Sequence, residues 1–78
     1  MREPVILDAK GLKCPLPVLK ARKAMRALPP GGVLRVLATD PGAAKDFAHF
    51  CETTGHELLA SSEEGELLTF DIRKSTST

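Results

Sequence analysis

Apolar residues along this chain fall into two rhythms, one of period two and one of period 3.6. Val5, Ile6 and Leu7 form a short run rich in β-branched side chains, which predicts a first strand ending near Asp8. A loop from Ala9 to Lys13 follows, with Gly11 free to take a positive φ. After Cys14-Pro15-Leu16-Pro17 there is neither Gly nor Pro until Pro29, and Val18, Ala21, Met25 and Leu28 recur on one helical face. Proline suits a first helical turn, whose amides have no intrahelical partner, so the helix is expected to begin at Pro15 with Cys14 as its N-cap. Pro29-Pro30-Gly31-Gly32 stops it.

The alternation then returns. Val33 to Thr39 reads as a second strand with Leu34, Val36 and Ala38 on one face. Asp40-Pro41 looks like a cap and first-position pair opening a second helix. Its stripe runs through Ala43 or Ala44, Phe47, Phe50 or Cys51, and Thr54, and Gly55 is the expected terminator. His56 to Ser61 and Leu67 to Arg73 are two further strands, the last with Leu68, Phe70 and Ile72 inward; Ser62 to Gly65 turns between them. The order β-α-β-α-β-β, with right-handed crossovers, predicts a two-layer α/β sandwich: a four-stranded mixed sheet with two helices packed on one face. Residues 1–73 are expected to form one domain and 74–78 a mobile polar tail.

Composition removes several functions. The chain has 78 residues with no Trp or Tyr and three Phe, which argues against the aromatic platforms used to bind single-stranded nucleic acid. Eleven basic against ten acidic residues leave a net charge of +1, too little for bulk attraction to nucleic acid or membrane. Two cysteines are too few for a disulfide scaffold. The first twenty residues carry scattered charge and no apolar core, so no signal peptide is expected and the chain reads as cytoplasmic. Charge is nonetheless segregated. Lys10, Lys13, Lys20, Arg22, Lys23, Arg26 and Arg35 all precede Asp40, whereas Asp46, Glu52, Glu57, Glu63, Glu64, Glu66 and Asp71 follow it. Either these are solvated faces that attract each other, or the first helix presents a basic docking surface.

Cys14 lies at a loop–helix junction. The partial positive charge of a helix start, with Lys13 and Lys10 beside it, favours thiolate over thiol. Pro15 and Pro17 have no N–H, so of the first three helical residues only Leu16 is expected to offer the sulfur an amide. An arbitrary cysteine is usually a small buried hydrophobe, a reading that fits Cys51 in its apolar stripe and fits Cys14 poorly. A carboxylate near the thiol would raise its pKa, so Asp8 is expected to bind loop amides instead. On a helix His49 and Cys51 are about 200° apart, and with His56 they make no recognisable metal set. Gly11 and the Gly31-Gly32 pair match no phosphate-binding fingerprint.

The segment Asp8-Ala9-Lys10-Gly11-Leu12-Lys13-Cys14-Pro15-Leu16-Pro17 resembles the signature of the TusA/SirA family of small sulfur carriers, with its CPxP motif. The resemblance continues through the Gly-rich break, Asp40-Pro41, the stretch from Phe47 to His56 and the final hairpin. Lys10 stands where the family more often has Arg; it keeps the charge but not bidentate hydrogen bonding. The resemblance implies a sulfurtransferase that holds sulfane sulfur on Cys14 as a persulfide, a carrier more than a multiple-turnover enzyme. Asp8, Gly11, Lys13, Pro15, Leu16 and Pro17 would support it, and no cofactor or metal is implied. Its implied partners are a donor such as a cysteine desulfurase or a rhodanese-like protein, and an acceptor protein, with no direct nucleic acid and no membrane. Lys10, Lys13, Lys20, Lys23 and Arg26 would form the docking surface. Two alternatives are a nucleic-acid-binding module using the basic helix and a redox regulator pairing Cys14 with Cys51.

Overall fold

The computed structural model describes residues 5–13 and 15–75. The elements are β1 (Val5–Ala9), α1 (Leu16–Arg26), β2 (Val33–Ala38), α2 (Ala43–Thr54), β3 (Glu57–Glu64) and β4 (Leu67–Arg73). The sheet order is β1-β2-β4-β3. β1 runs parallel to β2, while β4 is antiparallel to both β2 and β3. The sheet is therefore mixed, with β4 slotted between β2 and β3. The two helices pack on one face, as the periodicities predict.

The core is the meeting of those periodicities. Leu34, Val36 and Ala38 of β2 and Leu68, Phe70 and Ile72 of β4 point at Ala21 and Met25 of α1 and at Ala43, Phe47, Phe50 and Cys51 of α2. Phe47 is fully buried. Its ring stacks on Phe70 at 4.8 Å between centroids and meets Phe50 edge-on at 6.3 Å. On the open face of the sheet Arg35 Nε and Nη2 donate to the two Asp71 oxygens at 2.8 and 3.2 Å, joining cross-strand neighbours. Arg35 thus lies on the face away from the helices and leaves the basic cluster with which the sequence groups it.

Several boundaries differ from expectation: β2 ends at Ala38 and β3 begins at Glu57, each one residue inside the expected span, and α1 ends at Arg26, before Leu28 of its expected face. α1 starts one residue late: Pro15 is the cap, at φ −97° and ψ 17°, with no side-chain cap bond. The Leu16 amide is already donated to the Lys13 carbonyl at 2.9 Å, a turn that delays the helix. The expected cap, Cys14, lies outside the described residues. α2 starts at Ala43 with Gly42 as cap, because the Asp40 carbonyl accepts the Ala43 amide at 3.0 Å and makes Pro41-Gly42 a turn, not a first helical turn. β3 extends to Glu64, so the hairpin turn is only Gly65-Glu66, with Gly65 at φ 62° as a type II′ turn requires.

The polar end of the chain is tied down as far as Ser75. The Lys74 amide donates to Gly32 O at 2.8 Å and the Gly31 amide returns to Lys74 O at 3.1 Å. Lys74 Nζ donates to Leu28 O at 2.6 Å, covering a carbonyl just past α1, and the Ser75 amide donates to His56 Nδ1 at 3.0 Å. Residues 76–78 of the expected tail lie outside the described residues.

Partial desolvation, and then the Lys74 charge, lower the His56 pKa from its ordinary value. In the window just below about pH 6.5 the unfolded chain therefore binds the extra proton, so stability rises with pH there. That contribution is whole above the unfolded value and is lost as pH falls through the lower folded one, when Nδ1 can no longer accept. Asn at position 56 supplies an acceptor that does not titrate. Melting temperature should fall more between about pH 7.5 and about pH 5 in the wild type than in His56→Asn. Equal falls would show that the His56 contact does not couple to stability.

Candidate functional site

The candidate site gathers at the carboxyl ends of β1 and β2, where helix-capped sheets commonly hold their chemistry. The loop leaving β1 is fixed from several directions. The Leu12 amide donates to Ala9 O at 3.2 Å, closing a turn in which Gly11 takes φ 82°. A side chain at that φ would be strained, the physical reason for glycine there. The Gly11 amide donates to Thr39 Oγ1 at 3.0 Å, pinning the loop to the end of β2. Leu12 packs against the core. Asp8 Oδ1 accepts the Lys10 amide at 3.0 Å, a bond to a loop amide of the kind the sequence suggests.

Cys14 itself lies outside the described residues, but its setting is defined. Lys13 and Pro15 on either side are both exposed, as are Lys10 and Leu16, whereas Pro17 is buried and anchors the first turn. The Leu16 amide, expected to face the sulfur, is spent on Lys13 O instead. Lys20 reaches back along α1 and donates Nζ to Asp8 O at 3.3 Å, so one lysine of the basic stripe is drawn to the end of β1. Lys23 and Arg26 are exposed, and Arg22, one turn before Arg26 on the same side of α1, holds its guanidinium 5.9 Å from the Phe50 ring centroid.

The second cysteine has an opposite setting. Cys51 is buried, 7% exposed, and burial pushes its thiol pKa up. It is packed as a hydrophobe. His49 is exposed and His56 Nδ1 accepts the Ser75 amide, so these two histidines and Cys51 sit in three different surroundings. No group of three possible metal ligands gathers among the described residues.

Leu16 and Leu19 are surface residues that the buried stripe of α1 leaves out. They are 49% and 52% exposed, at the start of α1 on the side that also carries Lys20 and Lys23. The signal was present: both fall off the Val18-Ala21-Met25-Leu28 stripe, and a leucine off the buried face of an amphipathic helix is an exposed leucine. The edge of the site is therefore apolar as well as basic.

Comparison with known proteins agrees with this geometry. The family profile described as "Sulfurtransferase TusA" matches residues 5–74. The chain belongs to the TusA family. The sulfur carrier protein TusA of Allochromatium vinosum is 55% identical over 69 residues, covering 88% of this chain and 91% of that one. The sulfur carrier protein TusA of Pseudomonas paraeruginosa is 47% identical over 76 residues, 95% of this chain and 96% of its own. Among solved structures, a SirA-like protein from Desulfitobacterium hafniense superposes with a TM-score of 0.80 at 26% identity, covering 91% of this chain and 97% of that one. As a TusA-family chain it is placed among sulfur carriers with donor and acceptor proteins. Among the described residues no helix is long and apolar enough to cross a membrane.

Proposed function

We propose that this chain takes up sulfane sulfur on the Cys14 thiolate as a persulfide and hands the outer sulfur to an acceptor protein. One observation supports the assignment most strongly: of the two thiols, Cys51 is buried with its pKa raised, so the thiol left to do the work is the one between exposed Lys13 and exposed Pro15. The exchange balances without a cofactor. Cys14 thiolate attacks the outer sulfur of a donor persulfide, and the donor thiolate leaves; an acceptor thiolate then attacks the outer sulfur on Cys14, and Cys14 thiolate leaves. Between those steps the protein is a carrier, with the reducing cytoplasm as its compartment.

The neighbouring residues have distinct parts in this reading. Asp8 and Gly11 hold the loop, Lys10 and Lys13 supply positive charge, and Pro15, Leu16 and Pro17 stiffen the helix entrance. The donor is a cysteine desulfurase or a rhodanese-like protein, and the sulfur goes on to tRNA thiolation, cofactor synthesis or sulfur-compound metabolism. Lys10, Lys13, Lys20, Lys23 and Arg26 receive the partner, and the exposed Leu16 and Leu19 give it an apolar contact.

Alkylation kinetics test the choice of thiol. Iodoacetamide should modify Cys14 with a midpoint below the free-thiol value of about 8.5, and Cys51 far more slowly at every pH in the folded protein. Equal rates at both sulfurs, or a Cys14 midpoint above the free value, would remove the physical case for an activated carrier thiol.

A further inference from the structure

At the opposite end of the sheet from the candidate site, the last turns of α1, the end of α2 and the bases of β3 and β4 enclose a pocket of about 330 Å³. Met25 and Phe50 form its floor, and Arg22, Arg26, His56 and Lys74 stand around it, with Thr54 as a neutral hydroxyl. Among the described residues no carboxylate lines it. Glu57, the acid next to His56 in the chain, is held by Arg73 instead. Three permanent cations therefore converge on an apolar floor with no acid among the lining residues.

We propose that this pocket binds a small organic anion, a phosphate or carboxylate carried on an apolar body. The size falls at the lower end of ordinary small-ligand sites, which pair apolar walls with a few placed polar groups. Arg22 and Arg26 offer planar forks suited to either acid group, and Lys74 adds a point charge. Because His56 Nδ1 accepts the Ser75 amide, the proton of the neutral ring sits on Nε2, which adds a neutral donor. The floor excludes water from one side of the ligand, which strengthens each charged contact above its value at an open surface. Arg22, already lying near the Phe50 ring, is held partly in place before anything binds.

The site stands apart from the thiol chemistry. Arg22 and Arg26 are two to three helical turns beyond Pro15, on the order of 10–16 Å along α1. It also joins segments distant in sequence, since Leu28, Gly32, His56 and Ser75 are all tied at or beside Lys74. An occupant would bridge α1 to the end of the chain and should raise the melting temperature.

Titration of the ¹⁵N-labelled full chain tests this with phenyl phosphate, benzoate, inorganic phosphate and benzyl alcohol as probes. Phenyl phosphate or benzoate should shift the amides of Arg22, Arg26, Thr54, His56 and Lys74 saturably. Inorganic phosphate and the neutral benzyl alcohol should each bind at least about tenfold more weakly, since each lacks one half of the match. Arg22→Gln should weaken the better aryl anion by about fivefold or more, and Lys74→Gln provides a second, independent loss. Three results would overturn the proposal: no saturable shift below about 10 mM of either aryl anion, binding as tight for benzyl alcohol as for the anions, or shifts centred on Lys10, Lys13 and Lys20. All are read without sulfur transfer, so they stand whether or not Cys14 is the carrier.

Discussion

Replacing Phe47 with alanine should remove from about a quarter to all of the folding stability of the chain. The side chain is fully buried, stacked on Phe70 and edge-on to Phe50, so its removal loses two aromatic contacts and leaves a void between α2 and β4. Such truncations cost about 3–5 kcal/mol. A chain of 78 residues has a total stability of roughly 4–12 kcal/mol. The lower end of that range is erased by this one change. Urea unfolding should show a midpoint lowered by at least about a quarter of its wild-type value. A cost below about 1 kcal/mol would mean that the Phe47 cluster is not the centre of the core.

The second large effect concerns recognition. A persulfide is readily lost to small thiols, so productive transfer needs a partner that arrives fast and in one orientation. Charge complementarity acts mainly on that association rate and weakens as salt rises. Lys20 and Lys23 are exposed on α1, near the exposed Leu16 and Leu19, and Lys20 already lies against the end of β1. Reversing both, Lys20→Glu with Lys23→Glu, should slow protein-to-protein sulfur transfer by about tenfold or more at low salt. The same change should leave the circular dichroism spectrum and the iodoacetamide rate of Cys14 nearly unchanged, because neither needs a partner. Wild-type transfer by the double variant would make the basic side of α1 a solvated face and place docking elsewhere.

The elements legible in the sequence are those whose burial repeats locally. Leu34-Val36-Ala38 and Leu68-Phe70-Ile72 alternate, and Ala21 and Met25 recur on one face of α1, so strand or helix and inward side follow from spacing alone. Boundaries were less legible where two local solutions compete. Asp40-Pro41 suits a helix cap and suits a turn, and only the Asp40–Ala43 hydrogen bond decides between them. Ser61 to Glu64 has no alternation to read because β3 is an edge strand, and its order is supplied by the β4 ladder. The fastening of Lys74 and Ser75 depends on Gly32, Leu28 and His56, none of them near in sequence. At the candidate site, the Lys-Cys-Pro-x-Pro run pointed to the thiol, and the exposed leucines beside it were visible only as positions missing from the buried stripe.

Whether sulfur rides on Cys14 can be read from one mass measurement. The protein is incubated with a cysteine desulfurase and cysteine, its mass is taken intact, and its peptides are mapped without reduction. A single addition of about 32 Da is expected, one sulfur on one thiolate, carried by the peptide containing Cys14 and removed by reductant. An added sulfur on the Cys51 peptide, with Cys14 unmodified, would contradict this expectation.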